Sequence, residues 1–240
     1  MRFQHVLSSI IVVAGLVSTA SASTIFYDGF ESESVGSVGA SFGNWVQTQG
    51  FPDQGAIVDS PVYSGDRALR IDDASGTQAR GFYTNAFTEQ VSGPLVFQAY
   101  IRPTATDQTI EITLGSADGA SAYAIILLRD DGIVAYTSPS AWQNSSTVEY
   151  VANAWNQVEL TADLDNNTWS LSVNGESVAN DVAAGTPVAA GTSIGRVRMG
   201  GSVPAVTSFY VDDVSLVIPE PAAAFTLAAM GMTLLLRRRR

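Results

Sequence analysis

Residues 155–175 read WNQVELTADLDNNTWSLSVNG and contain the pattern that decides the fold class. Apolar side chains recur at every second position in both halves: Val158, Leu160 and Ala162, then Trp169, Leu171 and Val173. Successive side chains of a strand point to opposite faces, so this alternation predicts two strands that each bury one face. Asp and Asn residues at 163–167 separate them, and Asn174-Gly175 follows the second, both favouring tight turns. The segment is therefore predicted to be an antiparallel hairpin.

The same alternation continues through the rest of the chain. It recurs at Ile110, Ile112 and Leu114, and again at Val197 and Met199. Asp130-Asp131-Gly132 separates two further apolar segments, at 124–128 and 133–136. The turn signals divide the chain into roughly a dozen short strands, a pattern typical of an all-β, two-sheet antiparallel sandwich. No composition shift divides residues 23–218, so we expect one domain there.

The N-terminus has the three-part order of a secretory signal. Arg2 provides a positive start, residues 6–16 are almost wholly apolar, and small residues follow. Ala20 and Ala22 form the A-x-A pattern that a signal peptidase accepts. We therefore expect a signal peptide over residues 1–22, forming a short helix, and a mature chain that starts at Ser23.

The C-terminus predicts a short membrane helix. Pro219-Glu220-Pro221 precedes an apolar run at 222–236, and four arginines follow at 237–240. A 15-residue helix is about 22 Å long, somewhat less than the roughly 30 Å hydrocarbon core of a bilayer. Arginines reaching to the interface can compensate for the difference, and they favour the cytoplasmic side. An ordinary single-pass anchor is one interpretation of this tail.

Residues 219–240 also resemble the PEP-CTERM sorting tail, which has these three parts in this order. The resemblance implies export across the inner membrane of a Gram-negative-type bacterium by the secretion machinery. It further implies a transient membrane anchor through the tail alone, and then cleavage by an exosortase. The mature domain would then be at the cell surface or in the extracellular matrix.

The composition of residues 23–218 excludes several function classes. Seven of the 12 basic residues remain there, all arginine, against 22 of the 23 acidic residues, so the formal charge is −15. Such a domain repels nucleic acid and anionic lipid. It contains no Cys, His or Lys, which removes nucleophile–histidine triads and zinc sites.

Four segments together resemble a known fold family. They are the 155–175 hairpin, the opening segment FYDGFE at 26–31, the segment YSGDRAL at 63–69 and the closing segment FYVDDVSL at 209–216. In this order they resemble concanavalin A-like, LamG-type jelly rolls, including carbohydrate-binding modules. The resemblance implies a jelly-roll fold and a role in contact with polysaccharide.

The same resemblance implies a structural calcium. In those jelly rolls an acid of the first strand, the S-G turn and an acid of the last strand hold the ion. The matching residues here are Glu31, Ser64 and Asp66 of the S-G turn, and either Asp212 or Asp213. Calcium binds six to eight oxygen ligands, so two carboxylates with carbonyls and water would suffice. The alternative is that these acids cap turns or face solvent.

Sugar binding is expected near Trp142, which lies in the polar segment SPSAWQNS at 138–145. Aromatic faces stack on sugars, and Gln143 and Asn144 could bond hydroxyl groups. Tyr136 and Trp45 are expected to join this site. The 138–145 segment is expected to be a loop that exposes Trp142, and the alternative is that Trp142 folds back over a sheet end.

Catalysis has little support in the sequence. Retaining glycosidases need two carboxyl groups about 5–5.5 Å apart, and no E-x-D-x-E run provides them on one strand face. We therefore expect a non-enzymatic jelly-roll module that associates with extracellular polysaccharide. A purely structural or adhesive surface protein and a carboxylate-dependent glycan-active enzyme are the alternatives.

Overall fold

The computed structural model describes residues 22–48, 54–75, 77–186, 192–202 and 206–219. Residues Ser23–Pro219 pack as one compact unit. Apart from Ala22 and Pro219, the predicted signal peptide and sorting tail lie outside the described residues. Within the described ranges, no helix has the length and apolar character needed to cross a bilayer.

The described residues form seventeen strands. They are β1 (Ser23–Asp28), β2 (Gly36–Ser37), β3 (Ser41–Phe42), β4 (Trp45–Gln47), β5 (Gly55–Val58), β6 (Ala68–Asp73), β7 (Gly81–Thr84), β8 (Pro94–Pro103), β9 (Ile110–Gly115), β10 (Ala122–Leu128), β11 (Ile133–Thr137), β12 (Trp142–Glu149), β13 (Asn156–Asp163), β14 (Thr168–Val173), β15 (Glu176–Ala183), β16 (Arg196–Gly201) and β17 (Thr207–Ile218).

The strands form two antiparallel sheets, which confirms the all-β, two-sheet prediction for the described residues. The nine-stranded sheet has the order β15-β14-β13-β8-β17-β6-β5-β2, with β1 also paired to β17. The eight-stranded sheet has the order β12-β11-β10-β9-β16-β7-β4-β3.

The last strand, β17, is central to the nine-stranded sheet. One of its edges pairs with β8 along most of its length. Its other edge pairs first with β6 and then with β1, and the change of partner falls at Asp212–Asp213. A register shift between Asp212 and Ser215 marks the same point, and Asp213 has a positive φ of 45°. This bulge brings the turn after β1 and the loop before β6 to one place on the sheet.

The hairpin predicted from residues 155–175 is formed by β13 and β14. Val158 pairs with Val173 and Leu160 with Leu171, so the alternating apolar residues share one face. All four side chains are buried. The Tyr123 hydroxyl reaches across from the other sheet and donates to the carbonyl of Thr168 at 2.8 Å. The period-two pattern therefore correctly predicts which side chains enter the core.

The core lies between the inner faces of the two sheets. Phe97, Leu160, Trp169 and Phe209 come from the nine-stranded sheet, and the buried side chains that face them from the other sheet are Phe82, Ile112, Tyr123, Ile126 and Met199. Burying a side chain such as Leu, Ile or Phe contributes about 1.5–3 kcal/mol. A core of this size needs no disulfide, consistent with the absence of cysteine.

The segment around Trp142 was wrongly predicted to be a loop. Trp142–Glu149 forms β12, the outermost strand of the eight-stranded sheet. Polar residues are tolerated there because an edge strand is bonded on one side only and is open to water on the other. Trp142 pairs with Thr137 of β11 rather than folding back over a sheet end.

Candidate functional site

A continuous row of side chains crosses the outer face of the eight-stranded sheet. Register pairs link its members from strand to strand, and the main-chain N–H of Ile125 donates to Thr137 Oγ1 at 3.1 Å. The adjacent positions Ile126, Ile112 and Met199 are fully buried, so this row faces away from the core. We call it the outer row: Trp142, Thr137, Ile125, Thr113, Arg198, Tyr83 and Val46.

A cavity of about 310 Å³ lies beside the outer row. Small residues form much of its lining. One of them, Gly115, pairs with Ala122 on one side and with Arg196 on the other. A Cβ at Gly115 would overlap the carbonyl oxygen of Ser121, so the close approach of these strands requires glycine. The lining residues are Thr113, Gly115, Ser116, Gly119, Ala120, Ser121, Ala122, Ile125, Thr186, Arg196 and Arg198.

Arg196 is held in place within this cavity by an aromatic ring and a glycine. Its guanidinium carbon lies 3.7 Å from the centroid of the Tyr83 ring, a cation–π contact. A Cβ at Gly119, where φ is +73°, would overlap Arg196 Nη1. Burial lowers the pKa of Arg196 below its usual value, because the charged guanidinium loses contact with water.

Arg198 is neutralised by an acid of the adjacent strand. Its Nη1 donates to Glu111 Oε1, an ion pair in which both side chains are largely buried. The Thr113 hydroxyl donates to the same oxygen at 2.9 Å. Glu111 therefore fixes both Arg198 and Thr113 on the outer row.

Three of the predicted sugar-binding residues lie on β12. Trp142 is 49% exposed at the end of the outer row. Asn144 pairs with Ala135 and accepts a 3.0 Å bond from Arg129 Nη1, so it also faces outward. Gln143 pairs with Tyr136 and therefore points to the opposite side of the strand.

The other two predicted sugar-binding residues are turned into the core. Tyr136 packs edge-on against Trp169 of the nine-stranded sheet, with ring centroids 5.5 Å apart. Trp45 is 0% exposed, and its Nε1 donates to Asp28 Oδ2 at 2.8 Å. Neither ring stands beside Trp142, so the predicted five-residue cluster does not form. Alternation along β4 and β11 places both aromatics on inner positions.

The predicted calcium residues do come together, in a cluster that we call the clasp: Glu31, Ser64, Asp66, Asp212 and Asp213. Asp212 Oδ2 accepts the main-chain N–H groups of Tyr63 at 2.8 Å and Ser64 at 3.2 Å. Glu31 accepts the N–H groups of Asp66 at 3.0 Å and Arg67 at 3.1 Å. The two carboxylates thus fasten the loop before β6 to the turn after β1 and to the last strand.

Asp213 completes the clasp from the bulge. Its Oδ2 accepts the Ser64 hydroxyl at 2.8 Å, and its Oδ1 accepts the Tyr27 hydroxyl at 2.5 Å. A Cβ at Gly65, where φ is +60°, would overlap Glu31 Oε1. The S-G pair at 64–65 therefore supplies both a donor and the space that Glu31 needs.

The side-chain atoms that the clasp could offer as ligands are all oxygens, the type of ligand atom that calcium prefers. Asp212 is fully buried, and burial raises its pKa to about 6, which a nearby cation would counteract. Among the described residues, no three acidic or histidine side chains gather as a metal site. Two carboxylates can still suffice if main-chain oxygens and water complete the ligand set.

Solved structures share this fold. The cellulose-induced protein Cip1 aligns with a TM-score of 0.57 and 16% identity, covering 80% of this chain and 96% of that one. Domain 4 of AbnA, an extracellular arabinanase from Geobacillus stearothermophilus solved with arabinotriose, aligns with a TM-score of 0.50 and 14% identity, covering 84% and 95%. A sialidase aligns at 0.56 and 15% identity over 72% of this chain, which spans only 17% of that protein.

These likenesses establish the fold alone, because the identities are low. No protein-family model matches the sequence, and no curated protein matches it either. The shared architecture agrees with the predicted jelly roll.

Sequence reasoning missed Tyr83, Thr113, Arg196 and Arg198. The alternation at 196–199 already indicates that both arginines point away from the core, because Val197 and Met199 point into it. The sequence lacks any sign that β16 pairs with β7 and β9. Those pairings place Tyr83 and Thr113 beside the arginines.

Proposed function

We propose that this chain is a non-catalytic jelly-roll module that binds extracellular polysaccharide along the outer row. One observation carries the proposal: an exposed tryptophan, a half-buried isoleucine and fixed polar side chains lie in line on one sheet face, beside a cavity. Sugars present apolar faces and hydroxyl groups together, which suits such a mixture of aromatic and hydrogen-bonding side chains. The arabinotriose complex of AbnA domain 4 supports the idea that this fold can hold a glycan.

The non-catalytic part of the proposal rests on the chemistry of the cavity. The described residues that line it include two arginines and several hydroxyl groups, and none of them is a carboxylate. Glu111, the acid of the adjacent row, is bonded to Arg198 and Thr113. A glycosidase needs two carboxyl groups that flank the scissile bond.

The ends of the sequence support a surface location. We propose that the signal peptide at 1–22 directs export and that an exosortase removes the tail at 219–240, releasing the domain to the cell surface or matrix. The net charge of −15 over residues 23–218 favours solubility and keeps the domain away from anionic lipid.

Replacing Trp142 with alanine should lower the affinity for a bound polysaccharide roughly tenfold, because loss of an aromatic contact that anchors a ligand costs more than about 1 kcal/mol. Affinity gel electrophoresis against a panel of soluble polysaccharides measures this. Tyr63→Ala is the matched control, since Tyr63 is a 44% exposed aromatic that stacks on Tyr100 elsewhere in the domain. A larger loss from Tyr63→Ala than from Trp142→Ala would place the binding surface there instead.

We further propose that calcium binds at the clasp through Glu31 and Asp212. Calcium at 100 times its dissociation constant should stabilise the fold by about 2.7 kcal/mol, which raises Tm by roughly 5–10 °C for a domain of this size. Differential scanning fluorimetry in calcium and in EDTA measures the shift, and Asp212→Asn should reduce it. Equal Tm values in the two buffers would contradict calcium binding, and the clasp would then be held by its hydrogen bonds.

A further inference from the structure

Positive charge is scarce in this domain, yet part of it is concentrated on the outer row and its cavity. Residues 23–218 contain seven arginines and no lysine. Arg196 and Arg198 lie two positions apart on β16, where both line the cavity. The rest of the domain is acidic and would repel a polyanion. The two neighbouring arginines therefore make this cavity the place where a negatively charged group could bind.

The two arginines differ in how their charges are compensated. Arg198 is paired with Glu111. Three ion pairs occur among the residues described, and none includes Arg196. Asp118 acts on Arg196 through its charge, but its carboxylate is exposed and accepts the Ser116 hydroxyl at 2.6 Å and the Ala120 N–H at 2.9 Å.

Arg196 is also incompletely hydrogen-bonded. Its Nε is buried and has no hydrogen-bond partner. Contact with Tyr83 holds the guanidinium in one plane, so its donors are oriented before any ligand arrives. A buried donor without a partner is costly, and a planar oxyanion that accepts two parallel N–H bonds is the group that a guanidinium fits best.

We propose that the outer row selects polysaccharides that contain uronic acid units, with a sugar carboxylate paired to Arg196. This inference rests on the proposed function, because the neutral part of the ligand would lie along the row toward Trp142. Four strand spacings of about 4.8 Å separate β12 from β16, so the row extends about 19 Å from Trp142 to Arg198. A single arginine that forms no ion pair with the described residues matches a monovalent carboxylate. Screening at physiological ionic strength limits repulsion by distant acids to about 8 Å.

The test compares polygalacturonate with its carboxyl-reduced, neutral form at equal chain length, using isothermal titration calorimetry on the purified chain. The unmodified protein should prefer the acidic polymer roughly ten- to a hundredfold, as expected for a charge-assisted bidentate pair. Arg196→Gln should lower the affinity for the acidic polymer to that for the neutral one. Arg102→Gln, which removes the same charge from the nine-stranded sheet, should keep the preference.

Arg196→Lys provides a second variant, and circular dichroism checks that both variants fold. It keeps the charge but loses the planar fork, so it should retain only part of the preference. Equal affinity for both polymers, or tighter binding of a sulfated glucan than of polygalacturonate, would overturn the carboxylate assignment while leaving the proposed function intact. Binding of no polysaccharide, or binding that Trp142→Ala leaves unchanged, would instead refute the proposed function.

Discussion

Replacing Trp45 with alanine should destabilise the domain by about 3–5 kcal/mol, the usual cost of removing a large buried aromatic side chain. Trp45 is fully buried, and its ring centroid lies 5.9 Å from that of Phe30 and 6.1 Å from that of Phe26. The substitution also removes the indole donor from Asp28, leaving a carboxylate oxygen without that partner. Urea unfolding followed by circular dichroism measures the change, which corresponds to a fall in Tm of roughly 6–20 °C.

Trp142→Ala is the matched control, because the same side chain is removed from an exposed position. It should change the free energy of unfolding by about 0.5 kcal/mol, as is usual at protein surfaces. The two tryptophans should therefore show opposite behaviour, one affecting stability and the other affecting binding. A stable Trp45→Ala variant that has lost polysaccharide binding would contradict the core assignment and restore Trp45 as a ligand residue.

Replacing Asp212 with alanine should cost about 3 kcal/mol, since a donor left without an acceptor costs about 1–3 kcal/mol and these partly buried donors fall at the lower end of that range. Asp212 accepts the N–H groups of Tyr63, Ser64 and Asp213, so three donors lose their partner. The loop before β6 would no longer be fastened to β17. Urea unfolding in EDTA at pH 7.5, where the native carboxylate is mostly ionised, isolates this hydrogen-bond contribution from calcium.

Asp107→Ala is the control for Asp212→Ala, because Asp107 is an exposed aspartate in the loop between β8 and β9. It should leave the urea midpoint nearly unchanged. Hydrogen exchange supplies a local readout: the amides of Tyr63 and Ser64 should exchange faster in Asp212→Ala and not in Asp107→Ala. Equal midpoints and equal exchange in the two variants would show that the clasp contributes nothing to stability.

The sequence predicts local features of this fold well. Alternation and turn chemistry correctly place the β13–β14 hairpin, because a period of two and Asp/Asn turns depend only on neighbouring residues. The clasp residues come together for a different reason: they were predicted from the resemblance to a jelly roll, a fold that brings these turns and strand ends side by side although they lie far apart in the chain. Whether calcium binds there stays a prediction.

The site on the outer row could not be predicted in the same way. Glu111 and Arg198 are 87 residues apart, and their contact depends on which strands pair. Trp45 and Tyr136 carry the same aromatic chemistry as Trp142, and only the face on which each stands separates a core residue from an exposed one. Polar edge strands such as β12 look like loops, since they lack the apolar alternation of strands that bury one face.

The central position of the last strand has a consequence for how this molecule acquires its shape. β8, β6 and β1 all pair with β17, yet they precede it in the chain by more than a hundred residues. Contacts between such distant segments form slowly, because a long loop must first close. The nine-stranded sheet therefore cannot be completed before the last strand has been synthesised. The nine-stranded sheet stays in three unjoined parts, β15-β14-β13-β8, β6-β5-β2 and β1, until residues 207–218 pair with all of them.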